Sequence, residues 1–445
     1  MSQNKSNVFY KSLSKEYKCI DHGAGVYMYD TEGKRYLDLG AGLAVTNIGH
    51  GVKEVIDAIS AQAAKICYLN GGAFTSQVRE ELASRIIALA PEGMERVFFC
   101  SGGSEAVESM AKIARQYQIE AGRPGKYKII TRWQSYHGNT FGTLSLGGRP
   151  SWRGPYENLM LHMPHIAQCN CYRCPYGLQF ESCGLPCAEE LERVIKYEGA
   201  ETVAAFMLEP ITGTTATATV PPVKYFERIR EICDKYDVLL CCDEVITGLG
   251  RTGSAFAVNH FGVTPDLISV AKGLGGGYVP IGAVIAHKKV VDAVANGSGI
   301  LEHSYTFAGM PISCAGANAV VKYITDNGII EKAAASGELL LAKLRAALLD
   351  LDAVGDVRGK GLLIGGELVA DKATKKPFDP ARNFAGRVSA YCMEHGLLVL
   401  SGVTGTADGI EGEALQISPP LTISEEEMDF AVAVLREAII AASQS

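Results

Sequence analysis

No stretch of this 445-residue sequence approaches the ~18 consecutive apolar residues that a membrane span requires. The N-terminus, MSQNKSNVFYKSLSKEYKCI, is polar and lacks the apolar core of a secretory signal. No basic run stands out, and 42 Lys and Arg against 49 Asp and Glu leave a net charge of −7. These absences argue against nucleic acid or a membrane as partner and for a cytoplasmic location. There is no internal repeat and no low-complexity linker. What is present, 47% apolar and 20% charged residues, suits a globular enzyme too long for a single core, so at least two domains are expected.

Cysteine is plentiful, with 13 residues, five of them in CNCYRCPYGLQFESCGLPC. Cys171 and Cys174 have C-x-x-C spacing, and Cys183 and Cys187 are C-x-x-x-C. Two such pairs can build a tetrahedral zinc site. The segment has no histidine and its fifth sulfur, Cys169, is left over, so a loop of reduced thiols is the competing reading.

Apolar spacing gives the architecture. Residues 24–39 read as two short strands around a turn at Glu32-Gly33, and residues 51–66 as a helix. Strand-like runs at 96–100, 127–132, 202–210, 238–244, 267–272 and 281–286 are interspersed with helical runs at 104–118 and 222–236. Such alternation predicts an α/β fold whose large domain has a mostly parallel sheet covered by helices. Beyond about residue 310 the texture changes. Helical patterns at 314–327, 331–351, 381–396 and 425–442, with a strand-like stretch at 354–369, predict a smaller α+β domain.

Residues 239–253, LLCCDEVITGLGRTG, end in G-x-G-x-x-G after an apolar run, as a dinucleotide-binding turn does. The context fails. Asp243 and Glu244 separate strand from glycines, the following residues lack helical periodicity, and the acid due about twenty positions on is replaced by Lys272. Asp243 closes one buried run and Lys272 the next, and open parallel sheets collect their chemistry at strand carboxyl ends. An acid and a lysine facing one crevice suit pyridoxal phosphate: the lysine forms the Schiff base and the acid keeps the pyridine nitrogen protonated. FFCSGGSEAVE adds strand, glycine turn and helix, where Gly103 and Ser104 would offer N–H groups to a phosphate; a plain helix cap is the bland alternative. Tyr136, in SYHGNT, is a flat ring able to stack on a pyridine.

Together YLDLGAGLAVTNIGH, FFCSGGSEAVES, SYHGNTFGT, EPITG, DEVITGLGRTG, AKGLGGGYVPIGAV, HSYTFAGMPISCAGANA and ISPPLTI resemble, in family order, the class III aminotransferases of fold type I. The resemblance implies pyridoxal 5'-phosphate as cofactor and a domain division of 1–50 (an N-terminal segment joining the small domain), 51–310 and 311–445. It implies Lys272 as the Schiff-base lysine and Asp243 as the pyridinium partner. It places Tyr136 on one ring face and Val245 on the other, and Gly103 and Ser104 at the phosphate. Thr306 would reach the phosphate of the other subunit's cofactor, in a homodimer or dimer of dimers. Glu209 would support the hydrogen-bond network near Asp243, or be a structural strand-end carboxylate.

The sequence departs from the family at the substrate carboxylate. Gln416 stands where many members carry an arginine, Thr214 where some carry a gating glutamate, and residues 401–413 contain no basic residue. Arg153 is a candidate substitute, or a solvated loop arginine. The resemblance with these departures implies transfer of an amino group from a primary amine or ω-amino acid donor to a keto acid acceptor such as pyruvate. A lyase, racemase, epimerase or decarboxylase on the same cofactor, and a cysteine-based metal-binding protein, are the alternatives.

Overall fold

The computed structural model describes residues 6–444. Strands β1 (Ile20–Ala24), β2 (Tyr27–Asp30) and β3 (Arg35–Asp38) form an antiparallel meander. The β2–β3 turn is held by Asp30, whose Oδ1 accepts from the N–H groups of Glu32 (3.0 Å) and Lys34 (2.9 Å).

The main sheet contains β4 (Met94–Cys100), β5 (Lys128–Arg132), β6 (His165–Ile166), β7 (Val203–Leu208), β8 (Leu239–Asp243), β9 (Leu267–Val270) and β10 (Gly282–His287), in the order β4-β10-β9-β8-β7-β5-β6. Every pair from β9 across to β6 is parallel; β10 alone is reversed, antiparallel to both neighbours. Strands β7, β8 and β9 are buried along their whole length, as their unbroken apolar runs require of a sheet covered on both sides. Alternate side chains enter different cores. Leu239 and Cys241 join Val107, Met110 and Ile113 of the helix Gly103–Glu120. Leu240 and Cys242 join Tyr225, Phe226 and Ile229 of the helix Val223–Lys235.

A second antiparallel sheet holds β11 (Val354–Lys360), β12 (Leu363–Leu368), β14 (Leu400–Thr404) and β15 (Glu413–Ile417), ordered β11-β12-β15-β14. Between them, β13 (Leu397–Leu398) leaves to pair in parallel with β3, so the N-terminal meander is completed from the C-terminal part of the chain. We propose the division 1–50, 51–310 and 311–445, which this pairing supports. Helices Gln77–Leu89, Pro186–Glu198 and Lys288–Asn296 are additions to the elements expected from apolar spacing.

Candidate active site

The parallel strands deliver their carboxyl ends to one crevice. Asp243 closes β8, Lys272 follows β9, Glu209 follows β7, and Tyr136 and His137 lie in the turn after β5. The strand β4 ends beside them and leads through Ser101 and Gly102 into the helix Gly103–Glu120. A cavity of about 300 Å³ is lined by Lys272, Asp243, Glu209, Tyr136, His137, Val245, Gly103 and Ser104, with Pro280 and Ile281 from just before the reversed β10. Seven of the eight residues expected in the site are therefore brought together. Thr306 is not: it is exposed, in the stretch preceding the helix Pro311–Asp326, and does not line this cavity.

Asp243 is buried and fixed on both oxygens. Its Oδ1 accepts from Val245 N and from Ser269 Oγ, each at 3.1 Å, and Oδ2 lies 2.8 Å from His137 Nδ1. An ionised carboxylate can only accept, so Nδ1 carries the proton. Among the described residues, the buried Nε2 of His137 then has no hydrogen-bond partner. Glu209 Oε2 accepts from Gly213 N (2.7 Å) and Oε1 from Tyr136 N (3.2 Å); burial first of all raises its pKa. Arg132, fully buried, donates to the Glu209 carbonyl oxygen at 2.6 Å.

Lys272 is half-buried with φ 41°, a left-handed conformation uncommon for a residue with a side chain. Its Nζ donates to the Leu43 carbonyl oxygen at 3.0 Å. Desolvation lowers its pKa to about 8, with Asp243 and Glu209 opposing the shift. The helix Gly103–Glu120 starts at the cavity with no side-chain cap, so its first-turn N–H groups are available to an anion. A Cβ on Gly103 would lie 3.0 Å from Val245 Cγ1, tighter than side chains tolerate without the neighbour yielding. The arrangement joins an amine of lowered pKa, a fixed buried carboxylate and an anion-binding helix end in one cavity.

Several expectations need correction or addition. Arg153 is neither solvated nor at the cavity: it is buried, and its Nη1 donates to the carbonyl oxygens of Ser145 (3.0 Å) and Gly147 (2.7 Å). Gln416, on β15, is fully buried with Nε2 3.2 Å from Ser418 Oγ, and neither it nor Thr214 lines the cavity. His137 carries no signal in the sequence beyond its adjacency to Tyr136. The Cys169 thiol contacts those of Cys171 and Cys187, so the contacts do not follow the two spaced pairs. Among the described residues no three His, Cys, Asp or Glu side chains are grouped to hold a metal. No described helix is long and apolar enough to cross a membrane.

The aminotransferase class III family profile matches residues 10–439. The chain is 37% identical to the uncharacterised aminotransferase YodT of Bacillus subtilis (strain 168), covering 97% of each. It is 36% identical to the putrescine–pyruvate aminotransferase of Pseudomonas aeruginosa, over 97% of this chain and 92% of that protein. Among solved structures, a transaminase from directed evolution by ancestral reconstruction superposes with a TM-score of 0.94 at 36% identity, covering 100% of this chain and 98% of the other. An amine transaminase from an uncultivated Pseudomonas species, solved with pyridoxal phosphate bound, gives a TM-score of 0.91 at 34% identity, with 98% of each chain covered.

Proposed function

Because the chain belongs to the class III aminotransferases and is a pyridoxal-phosphate-dependent transaminase of fold type I, we propose that its donor is a primary amine or ω-amino acid and its acceptor a keto acid such as pyruvate. The observation carrying this reading is the cavity wall. No arginine lines it among the described residues, and Lys272 is its one cationic side chain. An α-carboxylate, whether of an amino acid or of a keto acid, therefore finds no charge-assisted partner in this wall and must take one from outside it when desolvated. A donor without one avoids that cost. The putrescine–pyruvate relative acts on substrates of this kind.

The residues present fit the cofactor. The uncapped helix end at Gly103 and Ser104 would hold its phosphate, and the close packing of Gly103 on Val245 leaves no space there for a side chain. Tyr136 and Val245 would bracket its ring, and Asp243 would face the ring nitrogen. Bound pyridoxal phosphate supplies a carbonyl that condenses with amines and a protonated ring that takes up the electrons released at the substrate carbon. The protein holds the charges that chemistry needs. Val245 N, Ser269 Oγ and His137 Nδ1 fix the Asp243 carboxylate, which would meet a protonated ring nitrogen without having to reorganise. Glu209 restrains the Tyr136 backbone through the bond at 3.2 Å. Lys272 Nζ would carry the cofactor and then, as a free amine with its pKa lowered to about 8, take the proton from the substrate carbon and return it. We further propose a cytoplasmic homodimer in which Thr306 reaches the partner's cofactor phosphate.

Half-reactions of the purified holoenzyme test the donor. Putrescine or β-alanine should abolish the visible band of the bound cofactor, and pyruvate should restore it. If glutamate reacts faster than every amine and ω-amino acid tried, the donor assignment is wrong.

A further inference from the structure

The cysteine-rich segment takes no part in the transaminase cavity, yet three of its thiols meet. Cys169 contacts both Cys171 and Cys187. The three differ in access to solvent. Cys171 is exposed, as are Cys19 and Cys67 elsewhere in the chain, whereas Cys169 and Cys187 are buried. Cys171 opens onto a cavity of about 580 Å³ that Cys174, Arg173, Lys375 and Asp408 also line, two cations against one acid. Cys169 lies beneath it, two residues back along the chain, and Cys187 sits in the first turn of the helix Pro186–Glu198. A solute arriving through the cavity therefore meets Cys171 first, and Cys169 is the thiol in contact with it.

Cys169 has one S–H to give. Donated to Cys171, it favours the thiolate there and lowers that pKa to about 7. About half of such side chains are ionised at pH 7, against roughly a few per cent of ordinary thiols. Cys187 is lowered as well, by the same S–H and, against burial, by the N–H groups of Cys187 and Ala188 at the helix start. A solvent-accessible thiolate with a second thiol against it is the arrangement that a hydroperoxide converts to a disulfide.

We propose that Cys171 is a peroxide-reactive site and that Cys169 closes a disulfide with it. The Cys171 thiolate attacks one peroxide oxygen: an S–O bond forms, the O–O bond breaks, and the hydroxide released takes up a proton as water. Cys169 then attacks the Cys171 sulfur. The S–S bond forms, the S–O bond breaks, and the departing hydroxide leaves as water with the Cys169 proton. The pair of thiols gives up two electrons, which reduce hydrogen peroxide to water. Cys187 then exchanges for Cys171 on the Cys169 sulfur with no further oxidation. None of this depends on the donor and acceptor assigned above.

The test treats holoenzyme of wild type, Cys171→Ser and Cys187→Ser with about one equivalent of hydrogen peroxide per chain. Samples taken over time are alkylated with iodoacetamide and mapped by peptide mass spectrometry. Wild type should form a disulfide containing Cys169 while Cys19 and Cys67 remain open to alkylation. In Cys187→Ser, where exchange is blocked, the bond should join Cys169 to Cys171. Cys171→Ser, a change at an exposed position, should slow loss of the Cys169 thiol at least about tenfold. A Cys169–Cys187 bond forming at the wild-type rate in Cys171→Ser overturns the proposal. So does oxidation of Cys171 no faster than that of Cys19 and Cys67, or oxidation of Cys171 to the sulfinic acid with Cys169 still free. If Cys187→Ser does not fold, the earliest wild-type samples decide: a first bond other than Cys169–Cys171 overturns it.

Discussion

Lys272 combines a left-handed backbone, a half-buried amine and two acids lining the same cavity. Burial wins over the acids, since its pKa falls to about 8 despite Asp243 and Glu209. A lowered lysine pKa means that the neutral, nucleophilic form is reached at lower pH. At pH 7 roughly a tenth of the side chains are neutral, against under roughly a thousandth for an ordinary lysine. Capture of pyridoxal phosphate by the apoenzyme should therefore accelerate as pH rises through about 8 and then level off. Stopped-flow absorbance across about pH 6 to 10 measures this. A rate still climbing at the top of that range shows that Lys272 titrates as an exposed lysine or is not the capturing amine, and Lys272→Ala should capture none.

At the scale of elements, the segment after β8 explains the misleading glycine pattern. Glu244 turns away from the chemistry and organises the loop: Oε2 accepts from Thr247 Oγ1 (2.6 Å) and Ala257 N (2.8 Å), and Oε1 from Val258 N (2.8 Å). The latter two N–H groups open the short 3-10 helix Ala257–Phe261. Gly253, with φ 79°, is the last of the three glycines; a Cβ there would lie 2.8 Å from the Ala334 backbone in the helix Ile329–Leu348. The glycines thus serve packing between parts of the chain and not a nucleotide. Burial raises the Glu244 pKa to about 7, above the ordinary carboxylate value of 4.5. The folded protein then binds a proton that the unfolded chain releases, so this group's contribution to stability is present at low pH and lost as pH rises through about 7. Glu244→Gln cannot ionise and leaves its NH2 group facing donors, which should cost on the order of 1–3 kcal/mol. Thermal melts should show a lower Tm and a flatter dependence on pH between about 5 and 7 than in wild type. Equal Tm values and slopes would remove Glu244 as the anchor of the loop.

For the whole molecule, the proposed dimer has a specific surface to account for. Leu43, Phe74 and Phe307 are exposed, and the carbonyl oxygen of Leu43 accepts the Lys272 amine, so one exposed apolar residue adjoins the site. Thr306 adjoins Phe307 in sequence and lies outside the cavity of its own chain. If it serves the partner, two defective enzymes should complement each other. Under subunit exchange, Lys272→Ala mixed with a Thr306 variant that cannot hold phosphate gives mixed dimers with both defects at one site and none at the other. Activity should appear in the mixture, towards half of wild type in each mixed dimer. No recovery despite exchange verified by mass spectrometry would make Thr306 a residue of its own subunit or of none.

The sequence by itself determined the α/β class, because unbroken apolar runs such as VAAFML and LLCC can be buried only in a sheet covered on both faces. It also determined the pairing of Asp243 with Lys272, since the ends of neighbouring parallel strands must meet. It could not give the reversal of β10, because IGAVIA reads alike in either direction of pairing. Nor could it give the crossing of β13 to β3, set by contacts between residues some 360 positions apart. The placement of arginines was decided by tertiary structure alone. Arg149 and Arg153 bracket the helical turn Pro150–Arg153, and the sequence around them does not say what either guanidinium meets. One is buried against backbone carbonyls and the other lies over Trp152 beside Tyr136, because the packing around each fixes which acceptors its guanidinium can reach.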